Sequence, residues 1–448
     1  MREIYARIEK NRPWAIECLR RYIAFESVSA QKRQLPETAA FLVRLFRSNG
    51  FPSARTYPTS SAPVFFAEYK ASPSARTLLS YNHYDVQPPD PLELWESPPF
   101  ELTERRGMLF GRGTADNKGN LITRLWALKS MLEAGVRPNL NIRFVVEGEE
   151  EGGSPSFPEF VRKYKKTLLA ADGCIWESGS VDDAGRPQIT LGAKGIIDFE
   201  ISIECSKADQ HSSIGIIVPN PAWRLAWALS TLKSPDERVL IEGFYDGIEP
   251  VPASERKLVH SFPFNEAGRK KKLGIDKFLL GLSGKRLVER VYFTPGLNIN
   301  GITSGYQGAG HKTVLPSKAV AKLDFRLVPG QDPKRIVKSL RRHFVLHGFP
   351  DVKIEYAGGY PAAKTPASDP FVKLVEGCCA EVYGKKAVVN PIMPASTPLY
   401  LLADSVPTVS VGSGFPGSNI HAPNECVRVD DFTRASKLIA KIITEFGI

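Results

Sequence analysis

For a chain of 448 residues this one is short of sulfur and imidazole, with six cysteines and seven histidines. The cysteines (Cys18, Cys174, Cys205, Cys378, Cys379 and Cys426) form no C-x-x-C, and neighbours such as Cys378 and Cys379 are poorly placed to bond each other. A disulfide framework is therefore not expected, and the pattern suits buried thiols in a reducing, cytoplasmic compartment. The charged opening MREIYARIEKNRPW has no apolar core of the kind a secretory signal needs. No uninterrupted apolar run reaches the roughly 18 residues of a membrane span, so no membrane partner is expected. Nor is there a basic motif interleaved with aromatics. The formal charge of +11 is spread along the chain, and its densest run, Arg269 to Lys272, is short. That run reads as a solvated helix face, and nucleic acid is not an expected partner.

What the chain does have is an acidic cluster behind a buried strand. Ile142 to Ser154 reads IRFVVEGEEEGGS, a β-branched apolar run that delivers Glu147, Glu149, Glu150 and Glu151 within five residues. Glycines at 148, 152 and 153 let the backbone turn there. Crowded carboxylates raise one another's pKa and need a cation or a proton nearby. An exposed acidic turn is the bland alternative; a metal ligand beside a general base is the functional one. Three more segments bear on that choice. An apolar strand, TLLSYN, ends in His83-Tyr84-Asp85, where a carboxylate two residues on can hold the second nitrogen of a ligating imidazole. GRGTADNKG places Asp116 between glycines ahead of a helical run, where helix capping by Asp116 or Asn117 is the competing reading. ADGCIWES is a short strand ending in Glu177, and His421 lies in a Gly/Pro-bounded loop after the strand PTVSVG.

At this length two domains are expected. Residues 1–190 alternate helices and strands, starting with two helices in residues 1–50, and imply a mostly parallel sheet whose carboxyl edge gathers His83, Asp116, the Glu cluster and Glu177. Residues 191–360 change character. Strands with one wet face, GIIDFEISIEC and AVAKLDFRL, alternate with helices in the β-α-β-β-α-β order of a ferredoxin-like α+β domain, with a helical insertion at 235–290. Residues 361–448 return to α/β and complete the first domain. Helix histidines such as His343 and His347 are expected to face solvent.

HYDVQP, GRGTADNKG, EGEEEGGS and NIHAPNE, in this order, resemble the dinuclear metallopeptidase superfamily of aminoacylase-1, the desuccinylases and glutamate carboxypeptidase, with WESPPFELTERRGMLFGRG and GAGHKTVLPSKAVAKLDFRLVPGQDP most similar to the cytosolic nonspecific and carnosine-type dipeptidases. The resemblance implies a catalytic domain carrying an inserted lid and dimerisation domain. It implies two divalent ions, zinc with manganese or cobalt as alternatives: His83 and Glu177 would hold one, Glu151 and His421 the other, and Asp116 both. Glu150 would be the general base, with Glu147 and Glu149 supporting or exposed, and Asp85 would orient His83. In the lid, His211 would reach across a homodimer to the oxyanion. Thr313 and Ser396 would contact substrate, and Arg326 would pair with its free C-terminal carboxylate. The implied reaction is hydrolysis of the amide bond of dipeptides or short peptides. Glu177, more typical of the deacylases, keeps N-acyl amino acids open as the alternative substrate.

Overall fold

The computed structural model describes residues 1–262 and 264–448. The chain forms two units, one of Met1–Gly192, Lys364–Pro391 and Thr397–Ile448, the other of Ala193–Ala363 and Ile392–Ser396.

The first unit is built on an eight-stranded sheet. Its central strands Asn141–Glu147, Thr77–His83, Gly173–Trp176 and Thr408–Ser410 lie side by side and run parallel. All seven residues of Thr77–His83 are buried, as a strand covered on both faces requires. Antiparallel strands Val64–Tyr69 and Arg55–Tyr57 extend one edge. The helix Lys118–Glu133 crosses between two of the parallel strands and is buried on nearly every side, with Trp126 against Phe432 of the terminal helix Val429–Phe446 (ring centroids 5.4 Å apart). Parallel strands end on one edge, so His83, the turn after Glu147 and Glu177 meet there.

Two expectations need correcting. The first 50 residues hold three helices, Arg2–Lys10, Arg12–Ile23 and Leu35–Arg47, because the early apolar stripe breaks at Asn11 ahead of Pro13. Asp116 does not follow a strand of the large sheet. Its loop follows Met108–Phe110, part of a separate three-stranded sheet.

The second unit is a four-stranded antiparallel sheet in the order Gly296–Ser304, Lys318–Leu327, Gly195–Glu204, Lys353–Tyr360. Taken in chain order this is the ferredoxin-like arrangement. Helices Pro221–Ser230 and Pro333–Leu346 belong to the same fold, and Leu225 and Leu340 join Ile197, Phe199, Ile201, Leu323 and Phe325 in one core. The insertion carries helices Ala253–His260, Glu266–Leu273 and Gly284–Phe293; Pro263, inside the expected insertion, lies outside the described residues. His343 does not face solvent: it is 4% exposed, its Nε2 3.0 Å from Thr231 Oγ1. His347, one turn on, is exposed, as expected.

Candidate metal centre

Local devices place the candidate side chains of the first unit. His83 is the last residue of its buried strand. Its Nδ1 lies 3.1 Å from the carbonyl of Asp85 and 3.3 Å from the Asp85 carboxylate, which aims Nε2 outward. The same Asp85 carboxylate accepts the backbone N–H groups of Glu150 (3.2 Å) and Glu151 (3.0 Å), so one buried group fixes both the imidazole and the acidic turn. Gly148 is required at that turn, since a Cβ would sit 2.2 Å from the Tyr84 ring.

Asp116 is held by its neighbours' backbone. The buried Glu425 accepts the N–H groups of Gly113, Ala115 and Asp116 at 2.9–3.0 Å and pairs with the buried Arg112 at 2.7 Å. Gly119 lets the loop double back, because a Cβ there would lie 2.0 Å from the Thr114 carbonyl. Asn117 occupies the helix N-cap position but makes no side-chain cap bond; its Oδ1 accepts from Asn82 instead. The capping alternative therefore does not describe this loop. His421 sits in a loop where Asn419, His421 and Asn424 all have positive φ. Such backbone costs about 1–3 kcal/mol per residue and is found where surrounding contacts enforce it; here the Asn424 side chain bonds Leu94 and Glu96 across the loop.

These devices bring the candidates together. His83 Nε2 is 3.0 Å from Asp116 Oδ1 and 3.5 Å from Glu177 Oε2. His421 Nε2 is 3.3 Å from Asp116 Oδ2 and 3.1 Å from Glu151 Oε2. Asp116 thus turns one carboxylate oxygen to each imidazole. Ligand atoms of His83, Asp116 and Glu151, and separately of His83, Glu150 and Glu177, lie within 4.8 Å of one another. Glu147 and Glu149 belong to neither group. They are 2% and 8% exposed, which removes the exposed alternative; Glu147 accepts from Tyr81 (2.7 Å) and Ser154 (2.8 Å).

The electrostatics fit a cation. Burial, then the nearby charge of Glu177, pushes the Glu150 carboxyl well above its ordinary range. Burial raises Glu177 to about 7. Asp116 goes the other way: burial opposes its charge, but hydrogen bonds from His421 and His83 outweigh it and hold its pKa low. Hydrogen bonds to Asp116 and Glu151 raise His421 to about 10. Without metal, protons on the imidazoles supply the positive charge the carboxylates demand. Among the described residues Glu151 Oε1 and Glu177 Oε2 are buried without a hydrogen-bond partner, which is costly unless a cation meets them. Imidazole and carboxylate donors suit zinc and similar divalent ions.

The second unit holds the remaining candidates as two pairs. Gln210–His211 pairs with Val314–Leu315, and the Ser212 N–H donates to the Thr313 carbonyl at 3.1 Å, so His211 and Thr313 are neighbours, both exposed. Ser396 belongs to this unit and accepts from Arg326 Nη1 at 3.0 Å, while Arg326 Nε donates to Asp324 at 3.0 Å. Sequence reasoning missed Arg112, Arg124, Asn82 and Glu425, all buried and all tied to the loops that carry the cluster. The available signal was a charged residue inside an apolar helical run, Arg124, and the closing glutamate of NIHAPNE.

Comparison with known proteins agrees with this geometry. Residues 79–445 match the model of peptidase family M20/M25/M40. The Cys-Gly metallodipeptidase dug1 of Schizosaccharomyces pombe is 29% identical over 356 residues, covering 76% of this chain and 75% of that protein. Human Beta-Ala-His dipeptidase is 28% identical over 362 residues, covering 77% and 71%. Among solved structures, the M20 family metallo-carboxypeptidase Sso-CP2 from Sulfolobus solfataricus has a TM-score of 0.91 at 35% identity, covering 97% of this chain and 99% of that one. With most of its length matched and an imidazole–carboxylate cluster on its sheet edge, the chain belongs to peptidase family M20/M25/M40 and is a hydrolytic metallopeptidase.

Proposed function

We propose that the protein hydrolyses the amide bond of dipeptides or short peptides with a free C-terminal carboxylate. The observation that carries this reading is the placement of Asp116, one oxygen toward each of two imidazoles, beside a glutamate whose environment favours carrying a proton. His83 and Glu177 would hold one divalent ion, Glu151 and His421 a second, and Asp116 both. Zinc suits these donors, with manganese or cobalt as alternatives. When bound, such a pair polarises a carbonyl and lowers the pKa of water.

The chain's own groups do the rest. Glu150 takes the proton of the attacking water and returns it to the leaving nitrogen. Asp85 keeps Glu150 and His83 in register through the bonds described above. Arg326, held at Nε and Nη1, presents the outer edge of its guanidinium to a carboxylate, with Ser396 fixing it and Thr313 contacting substrate. His211 stabilises the oxyanion from a partner subunit. A homodimer through the second unit is supported by one of its two edge strands, Gly296–Ser304, which has no outer neighbour among the described residues and on which Ile299 and Ile302 are half exposed, and by the exposed Trp223 and Trp227 of helix Pro221–Ser230. No helix among the described residues is long and apolar enough to cross a membrane; we place the enzyme in the cytoplasm on its cysteine pattern.

The relatives named as dipeptidases and the solved metallo-carboxypeptidase support a short-peptide substrate cut near its C-terminus. The test is turnover by metal-stripped protein reloaded with zinc or manganese. Free dipeptides should be cut and their C-terminal amides spared. Preference for N-acyl amino acids would instead favour the deacylase alternative and direct attention to Glu177.

A further inference from the structure

Beneath the metal-facing edge lies a cation that the reaction described above does not use. Arg124 is 2% exposed on the buried helix Lys118–Glu133. Among the described residues its guanidinium bonds no carboxylate. Instead Nη1 donates to Tyr81 O (2.5 Å), Asn82 Oδ1 (2.6 Å), Ser80 Oγ (3.1 Å) and Ile175 O (3.3 Å). Nη2 donates to Trp176 O (2.7 Å) and Glu177 O (2.6 Å). The last two acceptors are consecutive. In a regular strand successive carbonyls point to opposite sides, so one donor can hold both only where the pleat ends. Arg124 therefore sits at the corner that turns Glu177 out of its strand, and on the residue before His83.

A second arm extends from the same group. Asn82 Nδ2 donates to Asn117 Oδ1. Asn117 Nδ2 donates to Ser178 Oγ (3.2 Å), and Ser178 Oγ to Asp116 Oδ1 (3.3 Å), the oxygen that faces His83. Glu151 and His421 are reached by other means, through Gln87, Asp85 and the positive-φ loop.

We propose that Arg124, acting with Asn82, is the positioning residue for one half of the metal centre, the half formed by His83, Glu177 and the facing oxygen of Asp116. This rests on the reading that those side chains ligate metal. A planar fork spanning two strand ends makes it a rigid jig that a lysine cannot reproduce. Support groups of this kind set metal affinity by about 10–100-fold.

The test is zinc binding to the full chain, followed with a competing chromophoric chelator, which resolves the two equivalents without measuring activity. Arg124→Lys keeps the charge and loses the fork. It should weaken one equivalent at least tenfold and leave the other within about twofold. Unchanged affinities, or equal weakening of both, would overturn the proposal. If Arg124→Lys does not fold, Asn82→Ala, which leaves the guanidinium and its carbonyl bonds, is judged by the same two outcomes. His83→Ala and Glu177→Gln separate the underlying reading: if each still binds two equivalents, the ligand assignment fails whatever Arg124 does.

Discussion

Glu147, buried at the end of its strand, and Glu150, half-buried three positions on, lie in different surroundings, and the role proposed for Glu150 follows from them. Glu150 carries a raised pKa among other carboxylates and within reach of His83, the condition of a group that must accept and release a proton. Glu150→Gln keeps the shape and removes the base. Bound metal should remain at wild-type stoichiometry while turnover falls at least about a hundredfold, measured at saturating metal; near-normal turnover would remove Glu150 from the reaction. Glu147 lies deeper and accepts hydrogen bonds from Tyr81 and Ser154. Burial raises it to about 8, assisted by the charge of Asp85 and opposed by those bonds and by His83. A carboxyl whose folded pKa exceeds its unfolded value keeps its proton longer in the fold. Its contribution is complete below about pH 4.5 and is lost as pH rises toward 8. The metal-free protein should therefore lose stability across that window, and Glu147→Gln should flatten the loss in urea titrations at pH 5, 6.5 and 8. An unchanged slope would assign the pH dependence elsewhere.

At the scale of elements, much of the architecture was legible because periodicity reports burial directly. Unbroken apolar runs marked the interior parallel strands, and alternation marked the sheet with one wet face. His83 and Glu177 were visible as polar residues at the ends of such runs. Asp116 was harder: its loop belongs to a small side sheet, and it reaches the cluster through Glu425, a contact across 309 positions that no local pattern encodes. Asn11 divides what reads as a single stripe into two helices, and the burial of His343 is not legible locally because its partner, Thr231, lies 112 residues away. The exposed edge strand Gly296–Ser304 carries the prediction proper to this scale. An apolar edge left open invites strand pairing between copies. Ile302→Asp should convert a dimer into a monomer in sedimentation velocity, leave metal content unchanged and lower turnover at least tenfold, since His211 would lose its site. A monomeric wild-type protein, or a fully active monomeric variant, would refute the role given to His211.

At the scale of the whole molecule, the two units differ in what metal can do for them. The imidazoles and carboxylates of the cluster, and the buried groups that hold them, lie in the unit of Met1–Gly192, Lys364–Pro391 and Thr397–Ile448. The ferredoxin-like unit has its own core of strand and helix residues and contributes none of them. Binding stabilises only the cooperative unit that contains the site, by about 2.7 kcal/mol for each site at a hundredfold excess over Kd. At roughly 2–4 °C per kcal/mol for units of this size, two filled sites should raise one melting transition by on the order of 10 °C or more. Calorimetry of the chelated and reloaded protein should accordingly show two transitions, one moving with metal and one fixed. A two-state description of the whole chain would then be wrong for the apo form. A single transition that moves as one would mean instead that the lid melts only with the unit that holds the metal, and that the ferredoxin-like core cannot stand alone.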